Sequence, residues 1–151
     1  MATVQSGASD AALMIAQVRN QILDRFNSSV TMSRRGAMES IFEAWQSTDD
    51  SWKLDGDHVA ISEEVRDASL RFVQNLPLGF PQPTVSGEPD GHVNFEWYRS
   101  PRRVLSVSIG PDNRLYWAAL IGTESPRGSA RYIERIPEIV LDQIARVFEG
   151  D

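Results

Sequence analysis

The chain has 151 residues, 41% of them hydrophobic, with 15 Lys and Arg against 21 Asp and Glu for a formal net charge of −6, and no cysteine. One domain is the expected organisation at this length, and the lack of thiols excludes disulfides, zinc ribbons, cysteine nucleophiles and iron–sulfur ligation. No run approaches the ~18 apolar residues of a membrane span, and Met1 to Asp10 lacks the basic flank and apolar run of a secretory signal, so a cytoplasmic protein is expected.

Residues 1–8 carry no hydrophobic period and read as a frayed start to a single domain over 9–151. Ala11, Ile15, Val18, Ile22 and Phe26 recur at helical spacing behind Ser9 or Asp10 as cap, which predicts a helix to about Asn27. Met38, Ile41, Phe42 and Trp45 predict a second helix from about Ser33 to Ser47, with all four on one face. The short link from Asn27 to Thr31 makes residues 9–47 an expected antiparallel hairpin. After an acidic loop through Asp50 to Asp57, Ser62 is a good N-cap, and Glu63 and Glu64 suit the first turn of a third helix. Its stripe is Val65, Ala68, Ser69, Phe72, Val73 and Leu76, and Pro77 ends it.

From Pro83 the period changes from helical to alternating. A short strand over Pro83 to Gly87 and a Glu88 to Gly91 turn precede His92 to Tyr98, in which Val93, Phe95 and Trp97 share one face. Arg103 to Ile109 alternates likewise, Gly110 to Asn113 is a tight turn, and Leu115 to Ile121 is apolar on both faces, as a central strand would be. Thr123 to Arg131 reads as a polar loop. A fourth helix is expected from Pro137, at its first helical position, to Phe148, with Val140, Ile144, Val147 and Phe148 as its face. The expected fold is therefore α+β: an antiparallel meander of three to four strands packed with about four helices, in which 49–149 forms a helix–meander–helix unit.

Charge is unevenly spread, with seven basic and fourteen acidic side chains in residues 1–98 against eight and seven in 99–151. An acidic chain is not an expected partner for nucleic acid. His58 and His92, the two histidines, both fall in acidic turns and are expected to be solvated. Asp55, Asp57 and His58 in one turn, and Glu88, Asp90 and His92 in the other, resemble ligands for a hard cation but lack EF-hand spacing. Turns favour Asp and Gly regardless, so no metal or other cofactor is expected. Glu96 is the best single catalytic carboxylate, although an outward Glu on a strand commonly pairs with a cross-strand arginine, here Arg103 or Arg114. There is no G-x-S-x-G, Walker A loop or G-x-G-x-x-G. Tyr98, Tyr116 and Trp117 with Arg99, Arg102, Arg103 and Arg114 form a thin version of an RNA-binding sheet. Trp52 lies on no periodic stripe and fits either a loop pin or a partner anchor.

Trp52, Asp55-Gly56, Ile61-Ser62, Leu76-Pro77, Asp90-Gly91, Glu96-Trp97-Tyr98 and Leu115-Tyr116 follow one another over residues 49–149 in an order that resembles a family of small uncharacterised bacterial proteins. Those proteins carry a Trp-Asp-Gly segment, a helix ending Leu-Pro and an Asp-Gly, Glu-Trp, Gly-Pro-Asp meander. Here Lys53 and Leu54 separate the Trp from the Asp. The resemblance implies genes in accessory or mobile regions, often in small operons, and no catalytic residues. The negative charge, the acidic 49–67 segment with Trp52 and the lack of a convincing catalytic set lead to the expectation of a non-enzymatic binding module of the antitoxin, immunity or phage-inhibitor type. Such a module would mask a basic surface of a protein encoded by a neighbouring gene. Trp52, Asp55, Asp57, Glu96, Tyr98, Arg99, Arg102 and Arg103 are its candidate contacts. A small metal-dependent hydrolase or nuclease is the alternative, an RNA-binding sheet the weaker one, and a homodimer through residues 9–47 a further expectation.

Overall fold

The computed structural model describes residues 14, 15, 17, 18, 34–48, 58–132 and 134–149. The chain divides into two compact units, Met1–Ser33 and Arg34–Asp151. In the first, residues 14, 15, 17 and 18 are helical, and Met14, Ile15 and Val18 are exposed. The remainder of the expected first helix lies outside the described residues, and so do its hairpin packing, its part of a dimer face and the acidic loop 49–57.

In the second unit, helix α1 covers residues 34–48. It is followed by α2 (Glu63–Asn75), β1 (Thr84–Gly87), β2 (Val93–Ser100), β3 (Arg103–Ile109), β4 (Arg114–Ile121), β5 (Arg127–Arg131) and α3 (Glu138–Phe148). The strands make one antiparallel sheet whose spatial order is the chain order, β1-β2-β3-β4-β5. The α+β class therefore stands, with five strands rather than three or four and with three helices in the second unit, the helical residues 14, 15, 17 and 18 lying in the first.

The added strand is β5, which falls within the expected polar loop. Its sequence Arg-Gly-Ser-Ala-Arg has no β-branched or aromatic residue, so nothing in its own composition marks it. Its partner supplies the reason to pair: β4 carries Trp117 opposite Gly128, and a Cβ on Gly128 would come within 3.0 Å of the indole. The glycine that weakens β5 as a strand is the one that lets a large ring lie flat on it.

Helix ends follow from local chemistry. Ser62 caps α2 by accepting from the Val65 N–H at 3.2 Å, and Leu76 turns extended (φ −62°, ψ 129°) because Pro77 disfavours a helical residue before it. The Arg34 guanidinium donates to the Leu76 carbonyl at 2.8 Å and so ties α1 to the end of α2. Pro137, expected as the first helical residue, is extended (ψ 139°) and serves as the N-cap of α3, which starts one residue later at Glu138. Its carbonyl accepts from the N–H groups of Val140 and Leu141.

All three helices contribute to the core on one face of the sheet. Period-two alternation sends Val93, Phe95 and Trp97 of β2 and Leu105, Val107 and Ile109 of β3 inward, where all six are buried. Phe72 of α2 is their hub: its ring centroid lies 4.7 Å from Phe95, 6.2 Å from Trp97 and 5.8 Å from Tyr132. The predicted α2 stripe is buried throughout, while Phe42 of α1 and Phe148 of α3, expected inside, are exposed. Trp45 is partly buried beneath the Arg66 guanidinium, 4.3 Å from its ring centroid.

Phe72→Ala is expected to destabilise the protein by ~3–5 kcal/mol in urea unfolding, and Phe42→Ala, which leaves an already exposed position, by under ~1 kcal/mol. Equal losses at the two positions would refute the assignment of Phe72 as the hub.

Candidate functional site

The sheet has a second face, and none of the helices α1 to α3 covers it. Asn94, Glu96 and Tyr98 of β2, Val104, Ser106 and Ser108 of β3, Tyr116, Ala118 and Leu120 of β4, and Ser129 of β5 point to this side. A groove of about 480 Å³ runs across it, with Glu88, Asn94 and Ser108 at one side and Arg127 and Ser129 at the other. Leu115 to Ile121 is central, as its composition predicts, with β3 and β5 on either side, yet its second face carries exposed Tyr116 and Leu120.

One end of the groove holds an ordered polar network. The Glu88–Gly91 turn closes with the Gly91 N–H on the Glu88 carbonyl, and Gly91 takes the positive φ (86°) that this turn demands. It brings Glu88 and His92 to opposite sides of one hydroxyl. Ser108 Oγ donates to Glu88 Oε2 at 2.9 Å and lies 3.0 Å from His92 Nδ1. Because Ser108 has one proton and gives it to Glu88, the His92 Nδ1–H donates to Ser108 Oγ. Asp90 Oδ1 accepts from the His92 N–H at 3.2 Å, and its other oxygen stands 3.9 Å from Nε2. The imidazole stacks beside Tyr116 at 6.0 Å and lies against Gly110, where a Cβ would sit only 2.4 Å from Nε2. Tyr116 in turn donates its hydroxyl to Asp112. His92, with a side chain only 20% exposed, is therefore enclosed by Ser108, Asp90, Tyr116 and Gly110 rather than solvated as its sequence neighbourhood suggests.

No family model, curated protein or solved structure matches the chain.

Of the sequence-predicted contacts, Glu96 and Tyr98 share the open face. Glu96 stands across from Thr84 and Ser106, not across from Arg103, so the expected cross-strand ion pair gives way to a carboxylate among hydroxyls. Arg99 donates to the Phe148 and Glu149 carbonyls at 3.0 and 2.9 Å, and Arg103 to the Arg146 carbonyl at 2.8 Å. Both guanidinium groups satisfy the C-terminal carbonyls of α3 and oppose its dipole, a structural task. Arg102 is exposed in the β2–β3 turn, and its carbonyl accepts from Gly122 at 2.8 Å. Trp117 lies on the helix side with Leu115 and Ala119, away from Tyr98 and Tyr116, so the aromatics and arginines adjacent in sequence do not form one surface. His58 is exposed; Trp52, Asp55 and Asp57 lie outside the described residues. Sequence reasoning missed Ser108, Gly110 and Asp112, and took Tyr116 only as part of an RNA-binding sheet. The available signal was register: the turn between β2 and β3 pairs Ser108 with Asn94, two residues from His92, and the Gly110–Asn113 turn pairs Ser108 with Tyr116.

Among the described residues, Glu88, Asp90 and His92 each offer one ligand atom, all within 4.8 Å of one another. Two of the three are already hydrogen-bonded through Ser108, the usual outer-shell support of a ligating histidine.

Two outcomes are expected here. Gly110→Ala should displace the imidazole at a cost of ~1 kcal/mol or more, and His92→Ala should abolish that cost, a coupling read from a double-mutant cycle in urea. The Tyr116 hydroxyl, foremost, holds the Asp112 carboxyl below the usual carboxylate range, and the same bond holds the Tyr116 phenol above its ordinary value. The contact thus stabilises the fold between the two ordinary values. It weakens as pH falls through the lowered Asp112 value or rises through the raised Tyr116 value. In an ultraviolet phenolate titration, Asp112→Asn should move one tyrosine to lower pH, and Tyr116→Phe should remove that same step. An unmoved titration would deny the contact.

Proposed function

We propose that the protein is a non-catalytic binding module of the antitoxin, immunity or phage-inhibitor type. On this reading it acts in the cytoplasm and masks a basic surface of a partner protein, encoded by a neighbouring gene, with the open face of its sheet. The observation that carries the reading is the character of that face. Tyr98, Tyr116 and Leu120 are 58%, 39% and 38% exposed, and Tyr98 shares its strand face with the Glu96 carboxylate. On the β2 side of the face, an exposed aromatic beside a carboxylate is what a hot-spot interface with electrostatic steering uses. The side chains best suited to proton transfer, His92, Ser108 and Glu88, are engaged with one another. The acidic segment 49–67 with Trp52 is proposed as an additional contact, and residues 49–149 are proposed to belong with the small bacterial proteins they resemble.

A photo-crosslinking residue placed at Tyr98 or Leu120 should capture one and the same protein in the native host. The same residue at Ile139, exposed on α3, should capture none. With the captured partner purified, Asp90→Lys plus Glu96→Lys should slow association ~3- to 10-fold and flatten its salt dependence. Equal capture from both faces, or unchanged kinetics, would sink the proposal. The 4.8 Å grouping of Glu88, Asp90 and His92 favours, as a second reading, a divalent-metal hydrolase or nuclease. Calorimetry with Mg²⁺, Mn²⁺ or Zn²⁺ should then give heat that His92→Ala abolishes, and silence would remove that reading.

A further inference from the structure

We infer that β5 takes up an extended acidic segment of another protein as a sixth strand of the sheet. β5 is the terminal strand of the sheet, and four of its five residues are exposed. The direction of its backbone groups can be worked out from its two ends. The Pro126 carbonyl accepts from Ala119, and the Tyr132 N–H donates to Asn113, so the even-numbered residues 126 to 132 turn their polar groups toward β4. By the alternation of an antiparallel ladder, Arg127, Ser129 and Arg131 turn their N–H and C=O groups to the outer edge. Those are also the residues whose side chains rise on the open face, opposite Ala118, Tyr116 and Arg114.

The charges on this edge select the occupant. Arg131 faces Arg114 directly across the ladder, an arrangement that costs stability because like charges are opposed. The Arg114 guanidinium turns to Ser129 Oγ at 3.0 Å. Across β4, then, Arg127 and Arg131 meet a methyl group and a like charge, in a chain whose net charge is −6. A second copy of this chain is a poor occupant: antiparallel pairing centred on Ser129 would set Arg127 against the partner's Arg131 at both ends. An added strand with carboxylates four residues apart would instead place one beside each guanidinium, with its main chain bonded to the edge. Its alternate residues would lie over Gly128, Ala130 and the half-buried Trp117, which favours apolar side chains there. The recognised pattern is acid, apolar, small, apolar, acid. This edge lies across the sheet from the carboxylates proposed above to meet a basic surface, and the inference stands without that reading.

The test uses the full chain, isotope-labelled, with a capped nine-residue peptide Ser-Thr-Glu-Val-Ser-Val-Glu-Thr-Ser and its Glu-to-Lys counterpart. The acidic peptide should shift and slow the exchange of the Arg127, Ser129 and Arg131 amides, and the lysine peptide should bind ~10-fold more weakly. Arg127→Glu plus Arg131→Glu should invert that preference while leaving the amide spectrum of α2 and β2 in place, which separates lost binding from lost folding. No shift at β5, equal response to both peptides, or a shift confined to another face would overturn the inference. So would tighter binding of an oligouridylate to the same amides, which would assign the arginines to phosphate, or a concentration-dependent dimer lost in the double variant.

Discussion

Phe72 reaches three rings from one position on α2, and that contact is what makes the inner face of the sheet a dry surface. Phe95 and Trp97 come from one strand, while Tyr132 follows the last strand, so a single helical side chain spans the width over which the sheet must stay closed to water. The Trp97 indole completes the arrangement by donating to the Pro81 carbonyl at 2.8 Å, which fixes the connection between helix and sheet. Helix α3 is tied down at its far end by Arg99 and Arg103, and α1 by Arg34 and by Thr48, whose hydroxyl accepts from the Ile61 N–H at 3.2 Å. In each case a polar side chain meets a backbone group that would otherwise lack a partner.

With the helices gathered on one side, the open face is free of packing demands and differs along its width. Around β1 and β2 its chemistry is carboxylate, hydroxyl and imidazole, held in a connected network; around β5 it is guanidinium, with like charges opposed. The first region is internally satisfied and rigid, which suits a preformed contact surface. The second is uncompensated across the ladder, which suits a surface completed by something else.

Much of the architecture could be read directly from residue spacing. The α2 stripe, the N-cap at Ser62, the stop at Pro77 and the inward sets of β2 and β3 all follow from periods of 3.6 and 2, because burial on one side is what those periods encode. Phe42 and Phe148 fitted the same rule and are nevertheless exposed, since a helix stripe is wider than the strip that the sheet can cover. β5 was illegible because its pairing is dictated by Trp117 on another strand, not by its own residues. The His92 network was hidden for a related reason. Its members come from a turn, a strand and the next turn, and only the register of β2 on β3 brings Ser108 to the imidazole. Arg99 and Arg103, attractive as a cationic surface in the sequence, are occupied by the end of a helix that begins some forty residues later.

Strand order and chain order coincide in this sheet, and that coincidence bears on how the chain reaches its native state. Each pairing joins neighbours across a tight turn, so the meander can zip from one hairpin to the next with little loop-closure entropy at any step. The contacts that span long stretches of chain are those of the helices, Phe72 with Tyr132 above all. A meander that has formed before α2 and α3 settle on it would display Phe95, Trp97, Leu105 and Val107 to solvent. The docking of two amphipathic helices, rather than the pairing of strands, is the step at which this protein escapes aggregation.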